Sequence, residues 1–163
     1  MQPWRMSNYR RPRVKGATIF FTVALQTRGD DLLLREIDRL RAAVRQTRAE
    51  RPFAIDSWVV LPDHLHCIWR LPDGDDDFPL RWRLIKARFS MGLEGCPERF
   101  SLLRRREKGI WQRRYWEHHI RDQADWENHL RYCWFSPVKH GLVTSPAEWT
   151  FSSYHRDRVL YGL

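Results

Sequence analysis

FAIDSWVVLPDHLHCIWRL (53–71) decides the fold. It contains two β-branched and aromatic runs, FAIDSWVVLP (53–62) and HLHCIWRL (64–71), separated only by the break at Pro62-Asp63. Each run reads as a strand. So short a connection joins antiparallel neighbours, as a hairpin or a bent ribbon, and leaves no room for the crossover helix of a parallel sheet. Upstream, ATIFFTVAL (17–25) reads as a buried strand. Between it and the hairpin, Leu33, Ile37, Leu40 and Val44 recur at helical spacing, so 31–50 reads as an amphipathic helix with arginines on its wet side. Downstream, PDGDDD (72–77) is a loop, and Trp82, Ile85 and Phe89 mark a helix over 79–92 with Arg81, Arg83, Lys86 and Arg88 around it. GCPERFSLLRRREKG (95–109) reads as a loop or short helix, and IWQRRYWEHHI (110–120) as a fourth strand. Asp122 can cap a last helix and Gly141 can end it. The tail over 144–163 reads as irregular, docked by aromatic residues. The order predicts an α+β fold: a ferredoxin-like antiparallel sheet with helices packed on one face, in a single domain over 1–163.

Charge narrows the partners. Lys and Arg outnumber Asp and Glu by 29 to 20. Residues 1–29 hold Arg5, Arg10, Arg11, Arg13, Lys15 and Arg28 with no acid, so 1–16 reads as a basic arm. Arg99, Arg104, Arg105, Arg106, Lys108, Arg113 and Arg114 face only Glu107 in a second cluster. Clustered positive charge implies a polyanion, nucleic acid first. No apolar run reaches the roughly 18–20 residues of a membrane span, and the N-terminus lacks the apolar stretch of a secretory signal. Three cysteines, Cys67, Cys96 and Cys133, form no paired framework. A cytoplasmic, nucleoid-associated protein is the expectation.

Within the hairpin, His64-Leu65-His66 carries chemistry. Residues two apart on a strand share a face, so two imidazoles project side by side, with Leu65 and Cys67 opposite. Such a pair can grip one metal ion or one phosphate. On the helix from about 123, Trp126, Leu130, Cys133, Trp134 and Val138 form a core stripe. Tyr132, Ser136, Lys139 and His140 follow another. Pro137 removes a backbone donor, so the helix is expected to kink or end near Ser136 and close at Gly141. A phenol is a weak nucleophile at neutral pH. A metal held by His64 and His66 could offset the charge that develops when Tyr132 attacks a phosphodiester. Trp111, Trp116, Trp126 and Trp134 read as core, while Trp4, Tyr9 and Trp149 are candidates for stacking on bases.

The chain resembles the REP-associated tyrosine transposases, of the His-hydrophobic-His single-strand transposase superfamily. The matching stretches run collinearly: NYRRPRVKGATIFFTV (8–23), PFAIDSWVVLPDHLHCIWRLPDGDDDF (52–78), RWRLIKARFS (81–90), GIWQRRYWEHHIRDQADWENHLRY (109–132), PVKHGLV (137–143) and WTFSSYHR (149–156). The resemblance implies a ferredoxin-like nuclease in which Tyr132 is the nucleophile and His64 and His66 bind Mg2+ or Mn2+. It implies a 5′-phosphotyrosine intermediate and, as substrate, single-stranded REP-type DNA hairpins with a short 5′ recognition tetranucleotide. The family pattern has Asn four residues after the tyrosine as third ligand; this chain has Ser136 there. The segment Asn8, Tyr9, Arg10, Arg11, with Arg13 and Lys15, is expected to contact the tetranucleotide and phosphates. Arg104, Arg105 and Arg106 are expected on the hairpin stem, and Lys139 and His140 complete the DNA-binding set. Two other functions stay open to the residues: a hairpin-binding protein without cleavage, and an RNA phosphohydrolase using His64 and His66 as acid and base. Monomer and homodimer both remain open.

Overall fold

The computed structural model describes residues 10–93 and 109–163. Its chain order is β1 (Thr18–Ala24), α1 (Leu32–Arg35), α2 (Ile37–Glu50), β2 (Ala54–Val60), β3 (His64–Arg70), α3 (Phe78–Ser90), β4 (Trp116–His119), α4 (Gln123–Lys139) and α5 (Tyr154–Tyr161). The strands form one sheet in the order β2-β3-β1-β4, and every neighbouring pair is antiparallel. β3 lies between β1 and β2, as the ferredoxin-like β-α-β-β-α-β arrangement requires.

Alternation along the strands makes two cores. Ile19, Phe21, Val23, Leu65, Cys67 and Trp69 point to one face and pack with Leu40, Val44, Trp82, Ile85 and Phe89 of α2 and α3. Phe20, Val59 and Ile68 point to the other and pack with Leu130, Cys133 and Trp134 of α4. The expectation of helices on one face therefore holds for α2 and α3 alone. α4 covers the opposite face because the strands are apolar on both sides, which a single layer cannot bury.

Other differences have local causes. The helix expected over 31–50 breaks at Glu36 (φ −111°, ψ 33°), after a first turn whose Leu33 N–H donates to Pro62 O at 3.2 Å. The fourth strand is shorter than 110–120: Ile110 and Trp111 are adjacent yet both buried in one core, which a strand of period two cannot achieve. Trp111 keeps an isolated bridge to Leu25. Arg81 is buried rather than wet, with Nη1 and Nη2 on Asp75 at 3.0 and 2.8 Å and further bonds to the carbonyls of Arg51, Pro52 and Asp77. The Arg104–Arg106 cluster, Asn8, Tyr9 and Cys96 lie outside the described residues.

The tail, expected to be irregular, carries regular elements. A 3-10 turn (Pro146–Glu148) leads to a bridge between Ser152 and Val59, and α5 follows. Asp157, fully buried, accepts from Ser57 Oγ (2.9 Å), Ser153 Oγ (2.7 Å), Trp134 Nε1 (3.1 Å) and Arg156 Nη2 (2.8 Å). The inward residues of α5 are Tyr154, Asp157 and Tyr161, so it carries no apolar period to read.

Candidate active site

β3 and α4 build the site on the same face of the sheet. His64 and His66 alternate with Leu65 and Cys67, which belong to the opposite core. Register places Thr22 of β1 opposite His66, and the Thr22 Oγ1 to His66 Nδ1 distance is 2.8 Å. His64 Nδ1 donates to Asp63 Oδ1 at 2.7 Å. Each imidazole thus has Nδ1 engaged, the arrangement that frees Nε2 for a ligand. His66 Nε2 is buried without a hydrogen-bond partner. The two rings lie 5.0 Å apart, centroid to centroid.

Electrostatics keep His66 neutral. Burial, reinforced by His64, His140 and Lys139, pushes its imidazole down to about 3. Burial and the neighbouring His64 and Lys139 lower His140 too, although Asp63 opposes them. Burial alone would raise the Asp63 carboxyl; the Gly29 N–H at 2.8 Å and His64 outweigh it and hold it below the ordinary range.

Asp122 caps α4 by accepting from Asp125 N at 2.8 Å. Leu130, Cys133 and Trp134 dock the helix on the sheet. Tyr132 projects beside the histidines: its ring is 5.0 Å from His66 and 5.7 Å from Phe20. It remains 40% exposed. Helix geometry continues through Pro137 to Lys139 and does not end near Ser136, while the closure at Gly141 is as expected. The stop follows at Gly141 (φ 72°), where Leu142 N–H and Gly141 N–H donate back to Pro137 O and Val138 O at 2.9 Å each. This is a Schellman closure. Ser136 consequently stays inside the helix, buried, with its Oγ unpaired. Lys139 Nζ sits 5.2 Å from the centre of the Tyr132 ring, and the His140 ring 5.0 Å from His64. Five expected site residues, Tyr132, His64, His66, Lys139 and His140, are thereby linked ring to ring or cation to ring.

The chain matches a REP-associated tyrosine transposase of Escherichia coli at 47% identity over 160 residues, covering 97% of this chain and 90% of that protein. The chain belongs to the REP-associated tyrosine transposase family. A Haemophilus influenzae protein carrying the same family name is 44% identical, with 93% of this chain and 88% of that protein covered. The fold is similar to that of a solved REP-associated tyrosine transposase bound to a REP hairpin. The TM-score is 0.83 at 47% identity, across 97% of this chain and 88% of that one. No protein-family model matches the chain.

A second tyrosine that follows the basic cluster, Tyr115, lies away from the histidine pair. Tyr115 packs in the opposite core, against Phe21 and Trp82, with its hydroxyl buried. Burial raises that phenol to about 12. The arm is docked where it is described. Arg11 pairs with Glu117 and lies 4.0 Å above the Tyr115 ring, and Arg13 bonds Asp76 at 2.8 Å. Arg10 and Lys15 are exposed. Two tryptophans exchange roles relative to expectation: Trp116 is 65% exposed, whereas Trp149 is docked by Nε1 donating to Val60 O at 2.9 Å. Thr22, Asp63 and Phe20 escaped the sequence reading. Asp63 carries a signal, a carboxylate directly before a paired histidine. Thr22 and Phe20 carry none until strand register is known. No helix among the described residues is long and apolar enough to cross a membrane.

Proposed function

We propose that this chain is a site-specific single-strand DNA endonuclease and strand transferase acting on REP-type hairpins, with Tyr132 as nucleophile. The observation that carries the reading is an exposed phenol 5.0 Å, ring to ring, from the buried member of a strand-borne histidine pair. The substrate class is supported by the similar transposase whose structure contains a REP hairpin. The described part of the basic arm supports it too.

The residues present fit a divalent cation, Mg2+ or Mn2+. His66 Nε2 and Ser136 Oγ are buried polar atoms in need of a partner, and His66 is kept neutral, the protonation state of a ligand. His64, His66 and Ser136 would hold the ion, which when bound polarises a scissile phosphate and offsets its developing charge. The chain's own residues do the rest. Tyr132 Oη forms the bond to phosphorus as the bond from phosphorus to the upstream O3′ breaks. The phenol gives up its proton, and the departing oxygen gains one to become a 3′ hydroxyl. The downstream strand stays on Tyr132 through its 5′ phosphate. Attack by another 3′ hydroxyl reverses the step and joins strands, with no nucleotide cofactor consumed. Lys139 adds positive charge beside the phenolate. Because His66 and Tyr132 meet within one chain, the reading supports a monomer as the catalytic unit.

The test is a denaturing gel of the full chain with labelled single-stranded REP hairpin DNA and Mn2+. Wild type is expected to retain label in a protein band. Tyr132→Phe should lose that band while binding the hairpin as before, and His64→Ala or His66→Ala should do the same. An adduct that persists in Tyr132→Phe would remove the assignment. Hairpin binding with no adduct from any variant, wild type included, would leave a binding protein without cleavage, the outcome that Ser136 in place of the family's Asn favours.

A further inference from the structure

We propose that His118, Asp125 and His129 form a second cation site, distinct from the His64–His66 centre and suited to a borderline ion such as Zn2+. His118 lies on β4, and Asp125 and His129 lie one turn apart on α4. One ligand atom from each falls within 4.8 Å of the others. His118 Nε2 is 2.8 Å from Asp125 Oδ2, and His129 Nδ1 is 3.1 Å from Asp125 Oδ1. The two imidazoles stack nearly parallel, 4.6 Å apart at 19°. All three side chains are partly exposed, so an ion can enter from solvent.

The donor set decides the ion. Two imidazole nitrogens and one carboxylate oxygen are the ligand types of zinc and its first-row neighbours, whereas Mg2+ prefers oxygen and keeps its waters. An orienting shell is already present. Asp125 Oδ2 accepts Arg121 N–H at 2.9 Å, which fixes the carboxylate whether or not an ion is bound. Two features compete with the ion: His129 Nδ1 is 2.8 Å from the Asp125 carbonyl oxygen, and Arg121 Nε is 3.7 Å from Asp125 Oδ2. An ion must displace the first and tolerate the second. Phe20 packs against both groups, 4.8 Å from His129 and 5.7 Å from His66. The two sites share that wall and no ligand. An ion here would tie β4 to α4 three residues before Tyr132 and fix the helix that presents the phenol.

The test uses the full chain, freed of metal by chelation and carrying His64→Ala and His66→Ala. Calorimetry with Zn2+ and visible absorption with Co2+ are expected to report one saturable ion per chain. Zn2+ should bind at least about 100-fold more tightly than Mg2+. Adding His129→Gln or Asp125→Asn should weaken binding about tenfold or more, while the control His155→Gln leaves it unchanged. Should a triad variant fail to fold, the melting temperature of the His64→Ala/His66→Ala protein still decides: a rise with Zn2+ supports the site. No saturable Zn2+ and no rise would overturn it, leaving a hydrogen-bonded triad. Undiminished binding in folded His129→Gln would also overturn it.

Discussion

Two polar atoms on the face of the sheet beneath α4, His66 Nε2 and Ser136 Oγ, are buried without a partner. Such a group costs about 1–3 kcal/mol when nothing satisfies it. Among the described residues, the other partnerless buried side-chain atoms, on Trp69, Trp82, Trp111, Tyr115 and His119, belong to the opposite face. On the α4 face the His66 ring carrying one of the two atoms lies 5.0 Å from the Tyr132 ring, and under the proposed function a cation held there would relieve the cost. A hydroxyl donates less charge to a hard ion than an amide oxygen. Ser136→Asn is accordingly expected to lower the Mn2+ concentration for half-maximal cleavage by about tenfold, within the range for a ligand-shell change, without altering the sequence cut. Superimposable Mn2+ titrations would contradict this. His66 also makes a stability statement. Its folded pKa is depressed to about 3, so below an unfolded value near 6.5 only the unfolded chain takes up the proton. The contribution is complete above that unfolded value and is lost as pH falls toward the folded one. Metal-free protein should thus lose about 2 kcal/mol from this group between pH 7.5 and 5. Urea unfolding of wild type and His66→Gln at both pH values checks it; an equal pH dependence in the two would contradict it.

At the level of elements, α5 is a clamp built from one carboxylate. Asp157 gathers Ser57 of β2, Trp134 of α4, and Ser153 and Arg156 beside itself. Its removal leaves buried donors unpaired, so Asp157→Ala is expected to cost about 3 kcal/mol. Urea denaturation should show a lower midpoint with unchanged slope, and a loss under about 1 kcal/mol would contradict the clamp. None of this was readable beforehand, because hydrophobic periodicity finds helices by apolar faces and α5 turns Tyr, Asp and Tyr inward. The same blindness hid Arg81, whose charge suggested solvent although Asp75 and three carbonyls receive it. What sequence did carry was the hairpin at Pro62-Asp63, the strand-borne histidine pair, and Tyr132 with Ser136 on one helical stripe. Those follow from periods of two and about four. Which face α4 would cover does not follow from either period, and that choice brings Tyr132 to His66.

For the whole molecule, the net charge of +9 must act through cations that are free to meet phosphate. Arg11 and Arg13 are already paired with Glu117 and Asp76, whereas Arg10 and Lys15 are exposed. Arg10→Ala and Lys15→Ala are each expected to reduce the salt slope of hairpin binding by about one. Arg13→Ala should reduce it less, since its charge is offset within the fold. Equal reductions, measured as affinity against salt concentration, would contradict this division. The central claim concerns one bond, between Tyr132 and a DNA 5′ phosphate. Trypsin cuts after Arg131 and Lys139, so the peptide 132–139 contains Tyr132 and no other tyrosine. Mass spectrometry of the digested covalent complex should find the nucleotide on that peptide. A nucleotide carried instead by the peptide 115–121, which holds Tyr115, or by any other segment, would contradict the account.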